Sequence, residues 1–168
     1  MRSSDVPGRP FSSWSCLPPA SRPRTPSARR TQYHTIPTQN VPVQRHTIAE
    51  VLAEAQARLR RLTPKEAVLA SRQGWTLVDV RDSGAIARDG AIPGAVEIPL
   101  SVLEWRIDPA SDTHLAALSG KEEHLVLICQ DGYSSSLAAV RLHEIGFRNT
   151  TDVIGGFRAW IAAGLPVE

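Results

Sequence analysis

Leu125-Val126-Leu127-Ile128 is an unbroken apolar run between His124 and Cys129. A strand with one wet face alternates apolar and polar residues. A run without alternation needs cover on both faces, as in a parallel sheet flanked by helices. Leu77-Val78-Asp79-Val80 reads the same way, and residues 95–98 and 151–154 supply two shorter strands. Helical patterns separate them. Thr63-Pro64-Lys65-Glu66 is a capping box with proline at the first helical position, opening a helix that runs to about Ser71. Short helices are expected at 102–106 and 114–118. Residues 134–145 form a longer one ended by Gly146, and residues 157–163 form a last one closed by Gly164. Residues 84–94 read as a glycine-punctuated stretch with Ile92-Pro93-Gly94 as a turn. Alternating strands and helices define an α/β class with a mainly parallel central sheet and right-handed crossovers.

The amino-terminal part is of another kind. Residues 1–46 hold eight of the 13 prolines, seven arginines and one acid, Asp5. With no hydrophobic period they cannot offset their ordering entropy, so they are expected to form a disordered basic tail. The tail has no apolar core for a secretory signal and no helical amphipathicity for a transit peptide, so it reads as disorder without an address. Its net charge of +6, against +2 for the whole chain, leaves −4 on the rest. The pI near 8.8 therefore belongs to the tail and is no argument for nucleic-acid binding. Order is expected over 47–168. It starts with an extra helix at 47–62, where Ile48, Val51, Leu52, Ala55, Leu59 and Leu62 make one stripe and Arg58, Arg60 and Arg61 suit its carboxyl end.

Two cysteines, Cys16 and Cys129, make neither a disulfide framework nor a zinc cluster. A lone thiol in the folded part fits a reducing, cytoplasmic setting, and no run is long enough to cross a membrane. Cys129 ends a core strand, on the edge of an open α/β sheet where ligands bind. The loop after it opens a helix, so its N–H groups converge as an anion nest, and Gly132 permits the positive φ such a loop needs. A thiol centred there is expected to ionise readily and act as a nucleophile. Placement alone leaves equal weight for a cysteine that merely ends a buried strand.

Four segments occur in order: Leu77-Val78-Asp79-Val80-Arg81; Gly90-Ala91-Ile92-Pro93-Gly94-Ala95; Cys129-Gln130-Asp131-Gly132-Tyr133-Ser134-Ser135; and Gly155-Gly156-Phe157-Arg158-Ala159-Trp160 with Gly164-Leu165-Pro166-Val167. Together they resemble the rhodanese-like family of single-domain sulfurtransferases, over residues 63–168. The resemblance implies a sulfane sulfur moved from thiosulfate or a persulfide to cyanide, a thiol or a protein, through a persulfide on Cys129. It implies no cofactor and no metal. Gln130, Asp131, Gly132, Tyr133, Ser134 and Ser135 would then bind the sulfur or its donor, with Arg106 or Arg88 as an added cation. Tyr133 is expected over the thiol or against an acceptor. Asp79 and Arg81 match the family's Asp-x-Arg and are expected to pair and brace the sheet edge. Ala91 stands where the family often has histidine, and Phe157 where it often has tryptophan. Asp131 in the loop is expected to repel a dianion such as thiosulfate. Trp105 is expected in the core.

The implied partners are a small-molecule donor and acceptor, or a protein that carries a persulfide; no nucleic acid and no membrane are expected. Cell-cycle phosphatases share the architecture but need an arginine six residues after the cysteine, where Ser135 stands here. A non-catalytic interaction or sulfur-carrier module is the other reading.

Overall fold

The computed structural model describes residues 44–168. The proposed tail, with Cys16, falls outside these residues except for its last three positions. Four strands, β1 (Thr76–Asp79), β2 (Val96–Glu97), β3 (Leu125–Ile128) and β4 (Thr150–Asp152), form one sheet in the order β2-β1-β3-β4. All pairings are parallel, with Asp79 opposite Ile128 and Leu127 opposite Asp152.

The apolar run of β3 divides between two cores. Leu125, Leu127 and Cys129 pack in one cluster with Val78, Leu103, Ile107, Ala139 and Leu142. Val126 and Ile128 pack in the other with Ala67, Leu77, Phe157 and Trp160. Both faces are dry, so the sequence shows no alternation there. The helices are α1 (Ile48–Ala57), α2 (Pro64–Arg72), α3 (Ser83–Asp89), α4 (Leu103–Ile107), α5 (Ser134–Glu144) and α6 (Gly156–Ala162). Residues of α4 and α5 cover the first core, those of α2 and α6 the second.

Three expectations change. The amino-terminal helix stops at Ala57 rather than at residue 62, with Arg58 as its cap. The chain then runs beside β4, where the Leu62 amide donates to Asp152 O (3.0 Å) and Leu62 O accepts from Ile154 (2.8 Å). Strand-like pairing at Leu62 replaces the last turns of helix. The glycine-punctuated stretch contains α3, capped by the Asp82 carboxylate accepting from Ala85 N at 2.9 Å. Trp105 is 58% exposed, because the short α4 buries Leu103 and Ile107, four apart, and turns the residue between them outward.

Candidate functional site

Cys129 follows the last residue of β3, at the carboxyl edge of the sheet, and only 5% of it is exposed. Its Sγ accepts from the amides of Gly132 (3.2 Å) and Ser135 (3.4 Å) and lies 3.2 Å from Ser135 Oγ. Burial pushes the thiol up, but the hydroxyls of Ser134 and Ser135 and the amides of Ser135 and Asp131 outweigh it. The net direction is below the ordinary value of 9.0. Those groups select for a negative sulfur and would hold the outer sulfur of a persulfide or the oxygens of an anionic reactant.

The tight loop depends on glycine. Gly132 has φ +74°, and a Cβ there would lie 2.6 Å from Gly155 N. From the far side, α6 ties the loop down: Phe157 N donates to Cys129 O (2.8 Å) and Arg158 N to Gln130 O (3.1 Å). The Gly-Gly before α6 thus seats the cysteine loop.

The sulfur faces a cleft of about 610 Å³ lined among others by Arg81, Asp82, Arg88, Leu100, Gln130 and Ser134. Arg81 is buried and bidentate to Asp79, Nη2 to Oδ2 at 2.6 Å and Nε to Oδ1 at 3.0 Å. Its guanidinium also donates to Gly90 O (2.9 Å) and lies 3.6 Å from the Phe157 ring centroid. That pair ties β1, the turn after α3 and α6 together beneath the cleft. Phe157, in the position of the family's frequent tryptophan, supplies the ring.

Two candidates fall away from the sulfur. Arg106 does not line the cleft; it is exposed and donates to Thr113 O (3.0 Å), because α4 points it down the following loop. Arg88 is the exposed cation on the cleft, beside Asp89 at 3.0 Å. Tyr133 is 61% exposed and not part of the cleft wall, so it does not cover the thiol. The repulsion expected from Asp131 is offset: its carboxylate lies outside the cleft wall and pairs with Arg158 at 2.9 Å.

Two residues that sequence reasoning did not select stand directly behind the sulfur. Asp152, fully buried in β4, accepts from Ser135 Oγ (3.0 Å) and Ser136 Oγ (2.7 Å) through Oδ2. Arg61 holds both of its oxygens, Nε to Oδ1 at 2.8 Å and Nη2 to Oδ2 at 3.0 Å, and also donates to Gly132 O at 2.9 Å. An acid inside a strand expected to be buried was the available signal, since such a charge requires a partner. A second cleft, of about 590 Å³ and lined in part by Arg58, Arg60, Trp75 and Arg148, holds no thiol. Among the described residues no group of three or more His, Cys, Asp or Glu could hold a metal ion, and no helix is long and apolar enough to cross a membrane.

A parallel α/β sheet thus presents a buried cysteine loop at its carboxyl edge. The chain belongs to the rhodanese-like domain family, whose model matches residues 63–163. It is 33% identical over 103 residues to thiosulfate sulfurtransferase GlpE of Pseudomonas savastanoi pv. phaseolicola (strain 1448A / Race 6), covering 61% of this chain and 88% of that protein. It is 38% identical over 84 residues to adenylyltransferase and sulfurtransferase MOCS3-2 of Zea mays, covering half of this chain. The chain spans 17% of that relative and 25% of its Arabidopsis thaliana counterpart. Among solved structures it is similar to RPA3614 of Rhodopseudomonas palustris CGA009, a protein of unknown function described as a possible tyrosine phosphatase. The TM-score is 0.68 with 32% identity, over 75% of this chain and 97% of that one.

Proposed function

We propose that this chain is a sulfurtransferase that carries a sulfane sulfur on Cys129. The relatives named as thiosulfate sulfurtransferases, of which it spans most, support the sulfurtransferase role. The single observation behind the residue assignment is the convergence of the Gly132 and Ser135 amides on Cys129 Sγ at the floor of an open cleft. The thiolate attacks the outer sulfur of a donor. The new S–S bond forms as the donor's own bond to that sulfur breaks, and the electron pair leaves with the donor remnant, sulfite in the case of thiosulfate. An acceptor nucleophile, cyanide or a thiol, then attacks the outer sulfur of Cys129–S–SH. Cys129 leaves as the thiolate that the same amides stabilise. Arg88 on the cleft rim is the group suited to an anionic donor, and with Asp131 tied to Arg158 thiosulfate belongs among the substrates. Gln130 to Ser135 form the binding loop, and Asp79 with Arg81 supports it.

Intact mass spectrometry after incubation with thiosulfate is the direct test. One added sulfur atom is expected, removed by reductant and absent from Cys129→Ala. Failure of every donor, including a cysteine-desulfurase system, to load the wild type would leave the non-catalytic module as the reading.

The phosphatase reading lacks its anion clamp. The sixth residue after Cys129 is Ser135, and no arginine or lysine lies between them. Bidentate guanidinium contacts to a phosphoryl group are therefore missing from the loop. Hydrolysis of an aryl phosphate at background rate, and sulfur loading unaffected by vanadate, are the expected results. Stoichiometric vanadate inhibition would reverse that assignment.

A further inference from the structure

The hydroxyl of Ser135 has two claimants for one proton. Its Oγ lies 3.2 Å from Cys129 Sγ and 3.0 Å from Asp152 Oδ2. While Cys129 is a thiol, S–H donates to Ser135 Oγ and the Ser135 O–H donates to Asp152. Once the thiol proton has left for solvent through the cleft, the sulfur has only acceptor capacity, and Ser135 must turn its O–H toward it. Asp152 then loses a donor while fully buried, where an undersupplied carboxylate is costly. Three donors remain to it: Arg61 Nε, Arg61 Nη2 and Ser136 Oγ.

We propose that Arg61 is a positioning residue of the cysteine loop, supplying Asp152 with two donors so that the Ser135 hydroxyl is free to turn to sulfur. Its second contact, Nη2 to Gly132 O, fixes the loop whose Gly132 amide also reaches the sulfur. Arg61 is brought there by the pairing of Leu62 with β4, which sets it beside Asp152. It precedes the matched family segment, which begins at residue 63. The chain just outside the family core therefore completes the site. The other charged groups near the thiol are engaged elsewhere: Arg81 with Asp79, Asp82 at the start of α3, Arg88 with Asp89, and Asp131 with Arg158.

The inference rests on Cys129 as the reactive thiol, but its test needs no sulfur donor, so the two can fail separately. The rate of Cys129 alkylation by iodoacetamide is measured against pH in the full chain carrying Cys16→Ser. Arg61→Met strengthens the hold of Asp152 on the Ser135 proton, and on the rising limb of the profile the thiol reacts about tenfold more slowly, its midpoint moved up by about one pH unit. Asp152→Asn acts oppositely. Arg61 keeps the amide oxygen on its own side, the amide nitrogen donates to the serines, and Ser135 gives its proton to sulfur, so the midpoint moves down. A merely structural pair would move both variants in one direction or neither, and either result overturns the proposal. The double variant Arg61→Met/Asp152→Asn leaves no unpaired buried charge and keeps the test open if a single variant fails to fold. With the competitor gone, its midpoint lies at or below that of the parent protein. In a Ser135→Ala background the relay is absent and Arg61→Met should move the midpoint little; a shift that persists there would reduce Arg61 to a simple nearby charge and sink the idea.

Discussion

Replacing Cys129 with serine lowers sulfur transfer at least about a thousandfold while the protein stays folded. Serine is close in size and can keep the loop contacts, including those from Gly132 N and Ser135 N. What it lacks is an accessible anion and a sulfur able to form a persulfide. The loop hydrogen bonds and burial leave the thiol of Cys129 below its ordinary 9.0, whereas an alcohol in the same nest stays protonated. The pH profile of the parent protein carries the same signature. Because the reactive form is deprotonated, the rate rises with pH as the thiolate forms, with a midpoint below the 9.0 of an ordinary thiol. A thermal melt that moves little, together with the lost turnover, separates a chemical role from a packing one. Retained turnover in Cys129→Ser would place the nucleophile elsewhere and end the present reading.

The parts of this site legible in the sequence are those encoded locally. β3 is an apolar run, the loop after it carries its own glycine, and α5 begins at once, so Cys129 and its amide nest lie within seven consecutive residues. Asp79 and Arg81 are two positions apart on one strand end, and their pairing follows from that spacing. The parts that were not legible depend on encounters across the fold. Arg61 and Asp152 are 91 residues apart. Three arginines at 58, 60 and 61 look alike in a row, and a helix dipole accounts for all of them. Only the pairing of Leu62 with β4 singles out Arg61. The orientation of α4 decides its surface: with Leu103 and Ile107 inward, Trp105 turns to solvent, against the expectation of a core tryptophan, and Arg106 donates to the Thr113 carbonyl. α3 was hidden because Gly84 breaks its pattern and only Ala85 and Ile86 are buried. In each case the deciding information is which face meets the core, which a short element does not repeat often enough to reveal.

Gly156→Ala is expected to destabilise the protein by about 2–4 kcal/mol and to slow Cys129 alkylation together with it. Gly156 sits at φ +58°, which a Cβ disfavours. Sterics add more: the new methyl would press on Cys129 O and lie 2.6 Å from Gly132 N and 2.8 Å from the Gln130 carbonyl carbon. All three are backbone atoms, so no side-chain rotation relieves the contact. Nor can the loop retreat freely, since Phe157 N and Arg158 N bind the carbonyls of Cys129 and Gln130. Either α6 lifts away or the loop shifts, and a loop shift carries the Gly132 amide from the sulfur. Gly164→Ala separates the two causes. Gly164 also has a left-handed φ, +67°, but an added Cβ meets nothing within 4 Å. That variant should lose about 1 kcal/mol and keep full thiol reactivity. Urea unfolding and the alkylation rate, measured on both variants, give the comparison. Equal losses in the two, with Cys129 equally reactive, would mean that the Gly-Gly turn satisfies a backbone angle only and does not seat the cysteine loop.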